Sequence, residues 1–551
     1  MIAYIQRHEK ILFGALLILF LLIRLPGTNQ PYHQDEYKWV QYAESHDVVS
    51  GVIPHPPLSE FFYMVFPGGV VGYDNFRFIP LGFELLTLVL LYVFVRRRFS
   101  VGTAQIAAGI FIGGYYSVLA SLMIDTDGAI LPFFFLLCLN AFDIFRRASG
   151  KGKYFAGIAL VVCMVLGLLV KLSFVLAIGA IVLDFFWQER AQLNKKKVLL
   201  GIAGIVSFVV LVYLALLVSE HIFSGFSIAR GGKYWETFVR GFAGRNYFQT
   251  GIQVFKGLVY SSPFLVLLGS LSLFKPYRIS RIRVFQIFIV IACIFYVIMF
   301  DFSIGALDRY LQFLVVPLSI IAASIIAQTS WQSIRPYGWW ATGISGLLVC
   351  VNFLAQAVPP QYPKTAWIHY FLSFEWNFLF PFGGGSGPTG FYVSFLFIAL
   401  AWIISFLLLV LFYKKKDAGF LLIFLSIGLV YNGVFIEEYV LGKINGYAPG
   451  LAEDAVNFIA NDSSIEKVVV YNDIAGYDVK KLGKYERRMY TAPQFESTYR
   501  EFFNGWKGHV MVVDIPRIDP DGFYAKYLAT CTSVYAQGDQ YITAHVYQCD
   551  K

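Results

Sequence analysis

Charge is what this sequence has least of. Asp, Glu, Lys and Arg make up 14% of its 551 residues, against 57% hydrophobic and 18% aromatic, and its mean hydropathy is +0.62. A soluble fold of this length must expose far more polar surface to water, so a soluble globular protein is excluded. Cysteine is also scarce, and six are too few for a disulfide scaffold. Cys138, Cys163, Cys293 and Cys350 lie in apolar runs, where cysteine acts as a small hydrophobe. Only Cys531 and Cys549 stand in polar sequence. No small-x-small cleavage site follows the first apolar stretch, which ends near Leu25, so that stretch is expected to be a retained helix rather than a signal peptide. There is no internal repeat and no low-complexity tract.

The net charge of +9 does not point to nucleic acid, because the cations sit in clusters between apolar runs. The clusters are Arg7/Lys10, Arg96–Arg98, Arg146/Arg147/Lys151/Lys153, Arg190/Lys195–Lys197, Lys275/Arg278/Arg281/Arg283, Arg335 and Lys414–Lys416. If all are cytoplasmic, the chain between successive clusters must leave and return. Length and charge bias then give about 13 transmembrane helices, starting near residues 11, 78, 101, 129, 154, 173, 198, 257, 284, 309, 337, 391 and 418. An odd count puts the N-terminus inside and the C-terminus outside. The stretch Tyr154–Trp187 would be about 50 Å long as one helix, too long for a ~30 Å hydrocarbon core. Both its ends are basic, so it is expected to turn at Lys171-Leu172-Ser173, placing a lysine at the outer interface.

Three outward segments are long. The first, about 26–77, carries Trp39, Tyr42 and His46 at helical spacing; the second, about 219–256, carries Arg230, Lys233, Arg240 and Arg245; the third, about 358–390, combines aromatics with Gly383–Gly385. Beyond Glu437 the composition becomes that of a small soluble α/β domain. The fold class expected is thus an all-α polytopic membrane protein with a small C-terminal α/β extracytoplasmic domain, divided as 1–436 and 437–551. An oxidising outer compartment allows a Cys531–Cys549 disulfide. A two-residue hairpin turn at Gly538-Asp539 would set Cys531 opposite Val546, so the pairing requires a bulge or an odd-length loop.

The chemistry-bearing residues cluster in these outer segments. Asp35 and Glu36 follow the first span, and adjacent carboxylates beside a membrane suit a general base or a metal ligand. The plain alternative is that Asp35 caps a helix starting at Glu36. Pro54-His55-Pro56-Pro57-Leu58 is a rigid extended turn in which a lone histidine is commonly structural. The second outer loop reads Asp125-Thr126-Asp127-Gly128, whose carboxylates can share a divalent cation, hold a sugar hydroxyl, or cap the next helix. Arg77, Lys171 and Arg309 project at membrane depth to the outer face, where ionisable groups are costly and tend to be functional; snorkelling to headgroups is the alternative for each.

The order of these motifs resembles the GT-C glycosyltransferases. It runs Asp-Glu, His-Pro-Pro-Leu, Arg, Thr-Asp, Lys after the fifth span, and finally Asp308-Arg309-Tyr310. The branch it resembles holds the protein O-mannosyltransferases and the lipid A aminoarabinose transferase. The resemblance covers about residues 30–175 and 308–310, with a layout similar to that of the aminoarabinose transferase. It implies a sugar on polyprenyl phosphate as donor and a lipid, glycan or protein acceptor, with transfer at the outer face of the plasma (inner) membrane. Asp35 and Asp127 would be the family's first- and second-loop acidic residues, with Glu36 beside the former. Arg77, Lys171 and Arg309 would lie near the donor phosphate, and His55, Asp125, Asp127 and Tyr310 would serve sugar, acceptor or loop shape. No resident cofactor is implied beyond a divalent cation at Asp125 and Asp127, on which family members differ. The chain departs from the aminoarabinose transferase at His55, where that enzyme has an acidic-basic pair, and it lacks the sugar-binding module of the eukaryotic mannosyltransferases. The rival reading is a transporter or lipid-linked-sugar flippase, which would be expected to place charges at mid-membrane and to show repeats.

Overall fold

A computed structural model describes residues 8–33, 35–37, 39–40, 55–65, 75–192, 194–223, 225–238, 245–300, 308–331, 334–354, 357–360, 366–382 and 389–550. Tyr42, His46, Arg240 and Gly383–Gly385 lie outside these, as does the side chain of Arg309. By internal contacts the chain forms two units: Met1–Arg24 with Trp39–Ser330, and Leu25–Lys38 with Trp331–Lys551.

The first unit is helical: α1 (Glu9–Arg24), α2 (Leu58–Val65), α3 (Phe78–Arg98), α4 (Val101–Gly113), α5 (Tyr115–Leu122), α6 (Ile130–Arg147), α7 (Gly150–Val170), α8 (Val175–Glu189), α9 (Lys195–Ile222), α10 (Ile228–Phe238), α11 (Tyr247–Leu271), α12 (Arg283–Ile294) and α13 (Val315–Gln328). The second holds α14 (Arg335–Asn352), α15 (Ala366–Leu372), the strands β1 (Leu379–Phe382) and β2 (Phe391–Ser394), α16 (Phe395–Lys415) and α17 (Ala418–Val440). After these come α18 (Ala448–Asn461), β3 (Val468–Tyr471), α19 (Gly476–Lys481), β4 (Tyr485–Met489), α20 (Glu496–Phe503), β5 (Gly508–Val513), α21 (Phe523–Leu528), β6 (Thr532–Asp539) and β7 (Ile542–Cys549).

A helix stands at each of the thirteen expected positions, but length and apolarity alone do not bear out thirteen spans. Among the described residues ten helices are long and apolar enough to cross a membrane, or eleven if α4 and α5 are one bent span. The two that fall short, α6 and α14, are 18 residues each, near the lower limit for a span. Asp143, Arg146 and Arg147 close α6, and Arg335-Pro336 opens α14. The chain is a multi-span membrane protein.

Two local features shape the end of the first unit that holds Lys171. The α4–α5 pair bends by 63° at Gly114, which frees carbonyls that lipid cannot satisfy. Arg24, fully buried, donates to the Ile112 carbonyl at 3.2 Å and to Ser117 Oγ at 2.8 Å, one on each side of the break. The second feature is the turn expected at Lys171. α7 ends there with Lys171 extended (φ −159°, ψ 135°), and a 3-10 turn, Leu172–Phe174, leads into α8. The return is tight because residue 167 is glycine: a Cβ there would lie 2.2 Å from the Phe174 ring.

In the second unit a mixed five-stranded sheet has the order β4-β3-β5-β7-β6. β3 runs parallel to β4 and β5, and β7 is antiparallel to β5 and β6. Alternate residues of β3 and β5 bury two faces. Val468, Val470, Met511 and Val513 pack with α18, and Val469, Tyr471, Val510 and Val512 with α20 and α21. Cys531 and Cys549 form a disulfide. The hairpin turn is at Gln540-Tyr541, not Gly538-Asp539, and a register shift between Ser533 and Tyr535 brings Thr532 opposite Gln548. That bulge is the device the pairing required, since it moves Cys531 opposite Cys549.

Candidate active site

In the first unit the Asp125–Gly128 loop and the Lys171 turn are stitched together by buried polar groups. Lys171, only 6% exposed, places Nζ 2.5 Å from Asp127 Oδ2 and 5.0 Å from the centre of the Tyr310 ring. Burial alone would lower this ammonium, but Asp127, with Tyr310 and Asp125, outweighs it and holds the group above the ordinary lysine range. Lys171 therefore does not snorkel. Tyr310 in turn stacks on Tyr296, with ring centres 5.5 Å apart.

The Asp125–Gly128 loop is built to close on this lysine. Asp125 Oδ1 accepts from the Thr126 amide at 2.6 Å, and Gly128 leaves room for the segment Asp308–Leu314. A Cβ at Gly128 would stand 2.1 Å from Gln312 Oε1 and 2.8 Å from Ala120 Cβ. The Thr-Asp-Gly and Asp-Arg-Tyr motifs, some 180 residues apart in sequence, thus meet here, through Gln312 on Gly128 and Tyr310 over Lys171. Arg77, 1% exposed at the start of α3, donates Nη1 to the Leu122 carbonyl that ends α5, which anchors the entry to the loop. His55 is half-buried in the turn leading into α2.

Sequence reasoning missed what α2 does. Its residues 59 and 63 share a face: Ser59 Oγ donates to the Val170 carbonyl at 3.5 Å, and Tyr63 Oη donates to the Asp125 carbonyl at 3.2 Å. Between them Glu60 is buried, accepts from Ser59 Oγ at 3.0 Å, and is pushed up to about 8 by burial. One short helix therefore braces both the lysine turn and the acidic loop. The available signal was a lone carboxyl in an otherwise apolar, helix-spaced run after two prolines.

Asp35 and Glu36 belong to the second unit. Asp35 is half-buried in the first turn of a short helix. Glu36, fully buried, folds back so that Oε2 accepts from the His33 amide at 3.0 Å, while the Glu36 amide donates to the His33 carbonyl at 3.0 Å. The Glu36 carboxylate thus caps the His33 amide, which is one half of a capping box. The segment is fixed to the C-terminal domain. Gln30 Nε2 donates to the Tyr439 carbonyl at 2.7 Å, His33 bridges to Ile474, and Tyr32 meets Tyr477 edge-on at 5.2 Å. The anchor point lies just past the C-terminal end of β3, where Asn472, Asp473 and Ala475 all have positive φ (56–58°). Tyr485 Oη donates to Asp473 Oδ1 at 2.7 Å, and Arg488 lies 3.9 Å from Asp473 Oδ2. Burial and the Asp473 charge raise the Tyr37, Tyr485 and Tyr490 phenols above their ordinary range.

Among the described residues no group of three or more His, Cys, Asp or Glu is placed to hold a metal. Asp127 is engaged by Lys171 and Asp125 by the Thr126 amide, so no step is derived through a cation.

A family model described as dolichyl-phosphate-mannose-protein mannosyltransferase matches residues 55–215, the span that holds His55, α2, Arg77, the Asp125–Gly128 loop and Lys171. No curated protein sequence matches. Among solved structures, ArnT from Cupriavidus metallidurans in its apo state aligns with a TM-score of 0.58 at 13% identity, covering 98% of each chain. The chain has the GT-C glycosyltransferase fold. ArnT bound to undecaprenyl phosphate aligns with a TM-score of 0.53 at 14% identity, over 98% of this chain and 97% of that one. The fold is the one expected from the motif order, and the family model matches the segment that carries most of those motifs.

Proposed function

We propose that this chain moves a sugar from a polyprenyl-phosphate donor to an acceptor hydroxyl or phosphate at the outer face of the plasma (inner) membrane, inverting the anomeric centre. The observation that carries this is the buried Lys171–Asp127 pair under Tyr310, within the segment that the mannosyltransferase model matches.

A phosphate leaving group needs no proton, but it gains charge as the glycosidic bond breaks. Arg77, Lys171 and Arg309 are assigned to stabilise that charge. Lys171 has two further N–H donors beyond the one aimed at Asp127. Asp127 and Asp125 fix the lysine and its loop, and with Tyr310 and His55 they are assigned to shape the sugar or acceptor subsite. Asp35 is the proposed base that takes the acceptor proton, and Glu36 holds the turn that carries it. Attack from the side opposite the phosphate gives inversion. The lipid tail stays in the membrane, and residues 437–551 form the extracytoplasmic domain, with the N-terminus cytoplasmic. A lipid, glycan or protein acceptor all suit this chemistry.

The test is transfer of labelled sugar from a synthetic polyprenyl-phosphate donor by the washed, purified protein. Lipid-linked sugar that crosses a bilayer without transfer would instead favour the flippase.

A further inference from the structure

The end of the first unit far along the helices from Lys171 holds a cavity of about 930 Å³ in which arginines converge from four separate elements. Arg97 and Arg98 close α3, Arg146 and Arg147 close α6, Arg190 follows α8, and Arg281 and Arg283 lead into α12. A bias of basic residues toward one membrane face explains their sign but not their convergence on one space, where like charges repel. Carboxylates answer only some of them. Arg147 pairs with Asp143 at 3.1 Å, Arg146 with Glu189 at 3.7 Å, and Arg283 with Asp184 at 2.7 Å. Among the described residues Arg97, Arg98, Arg190 and Arg281 have no such partner.

The guanidiniums are also held in place. Arg98 Nε donates to the Arg281 carbonyl at 3.1 Å and Arg281 Nη1 to the Arg98 carbonyl at 2.8 Å, a reciprocal clasp. Arg147 Nη2 reaches the Arg97 carbonyl at 3.3 Å. The Arg190 guanidinium lies 4.8 Å from the centre of the Trp187 ring and that of Arg283 lies 5.8 Å from it. Fixed planar forks recognise tetrahedral oxyanions, giving parallel charge-assisted hydrogen bonds. Trp187 is itself 53% exposed, as suits an aromatic at the headgroup level.

We infer that this cavity is a phosphate-binding site at the basic end of the helical bundle, filled by the headgroup phosphate of an anionic lipid or by free phosphate. Basic pockets between spanning helices take such headgroups. The inference is independent of the sugar-transfer reading, because none of these residues belongs to the candidate active site.

The experiment titrates delipidated, purified full-length protein in detergent with dioleoyl-phosphatidylglycerol, dioleoyl-phosphatidylcholine or sodium phosphate, read by native mass spectrometry. Phosphatidylglycerol should be retained at least tenfold more tightly than phosphatidylcholine, and less so as salt rises. The double variant Arg98→Gln/Arg281→Gln should lose tenfold or more of that retention. Arg190→Gln, which breaks no clasp, should lose severalfold, so the inference stays testable if the double variant does not fold. Asp143→Asn, which removes a lining negative charge, should tighten binding. If millimolar sodium phosphate displaces the lipid, the site takes free phosphate; if it does not, the lipid headgroup is the ligand. Equal retention of the two lipids, or binding unmoved by both Arg190→Gln and Asp143→Asn, overturns the inference.

Discussion

Lys171 and Asp127 form a buried pair whose energetics separate a structural role from a functional one. Removing one partner leaves the other charge buried and uncompensated, at a cost of about 3–5 kcal/mol. Lys171→Met alone should therefore lower thermal stability whatever the lysine does in catalysis. Lys171→Met/Asp127→Asn removes both charges and should regain most of that stability. If the lysine contacts the donor phosphate, transfer efficiency of the double variant should stay down by roughly ten- to a hundredfold. Recovery of activity along with stability would make Lys171 only the keeper of its loop. Glu60 offers a pH test. Its folded carboxyl titrates near 8, above the ordinary carboxyl range, so the native state holds a proton that the unfolded chain releases. The stability this contributes is complete below the ordinary carboxyl range, falls as pH rises toward about 8, and is flat above it. The melting temperature of the wild type relative to Glu60→Gln should follow that course between pH 5 and 8. Parallel curves would show that Glu60 is not held protonated.

At the scale of elements, the lysine turn could be read from the sequence because a basic–apolar–basic run of that length has one physical solution. α2 could not: its partners, the Val170 and Asp125 carbonyls, lie in segments whose meeting depends on tertiary packing. Arg24 was hidden for the same reason, since a basic residue ending an apolar run reads as an interface anchor, not as the ligand of a broken helix. In the C-terminal domain β3, β5 and α21 follow from their apolar runs, whereas β4, with Glu486, Arg487 and Arg488 in its middle, carries no such signal. The Cys531–Cys549 bridge was legible as a pair but not in register, because the bulge at Ser533–Tyr535 leaves no mark in composition. The bridge predicts that neither Cys531 nor Cys549 reacts with maleimide in the denatured, unreduced protein, and that both react after reduction. Labelling of both before reduction would contradict it.

For the molecule as a whole, the alternation of basic clusters predicts an N-terminus in the cytoplasm and residues beyond Glu437 outside. An impermeant thiol reagent applied to intact cells should label a cysteine introduced at Asp462 and spare one introduced at Lys415; the reverse pattern would invert the protein in its membrane. The central claim is that Asp35 is the base of a glycosyl transfer. Because Asn caps a helix about as well as Asp, Asp35→Asn should leave the fold intact. The most direct measurement is the turnover of labelled sugar from a polyprenyl-phosphate donor by purified wild type and Asp35→Asn at saturating donor. The account predicts a fall of about a hundredfold or more in kcat with donor binding and melting temperature unchanged; near-wild-type turnover in Asp35→Asn would contradict it.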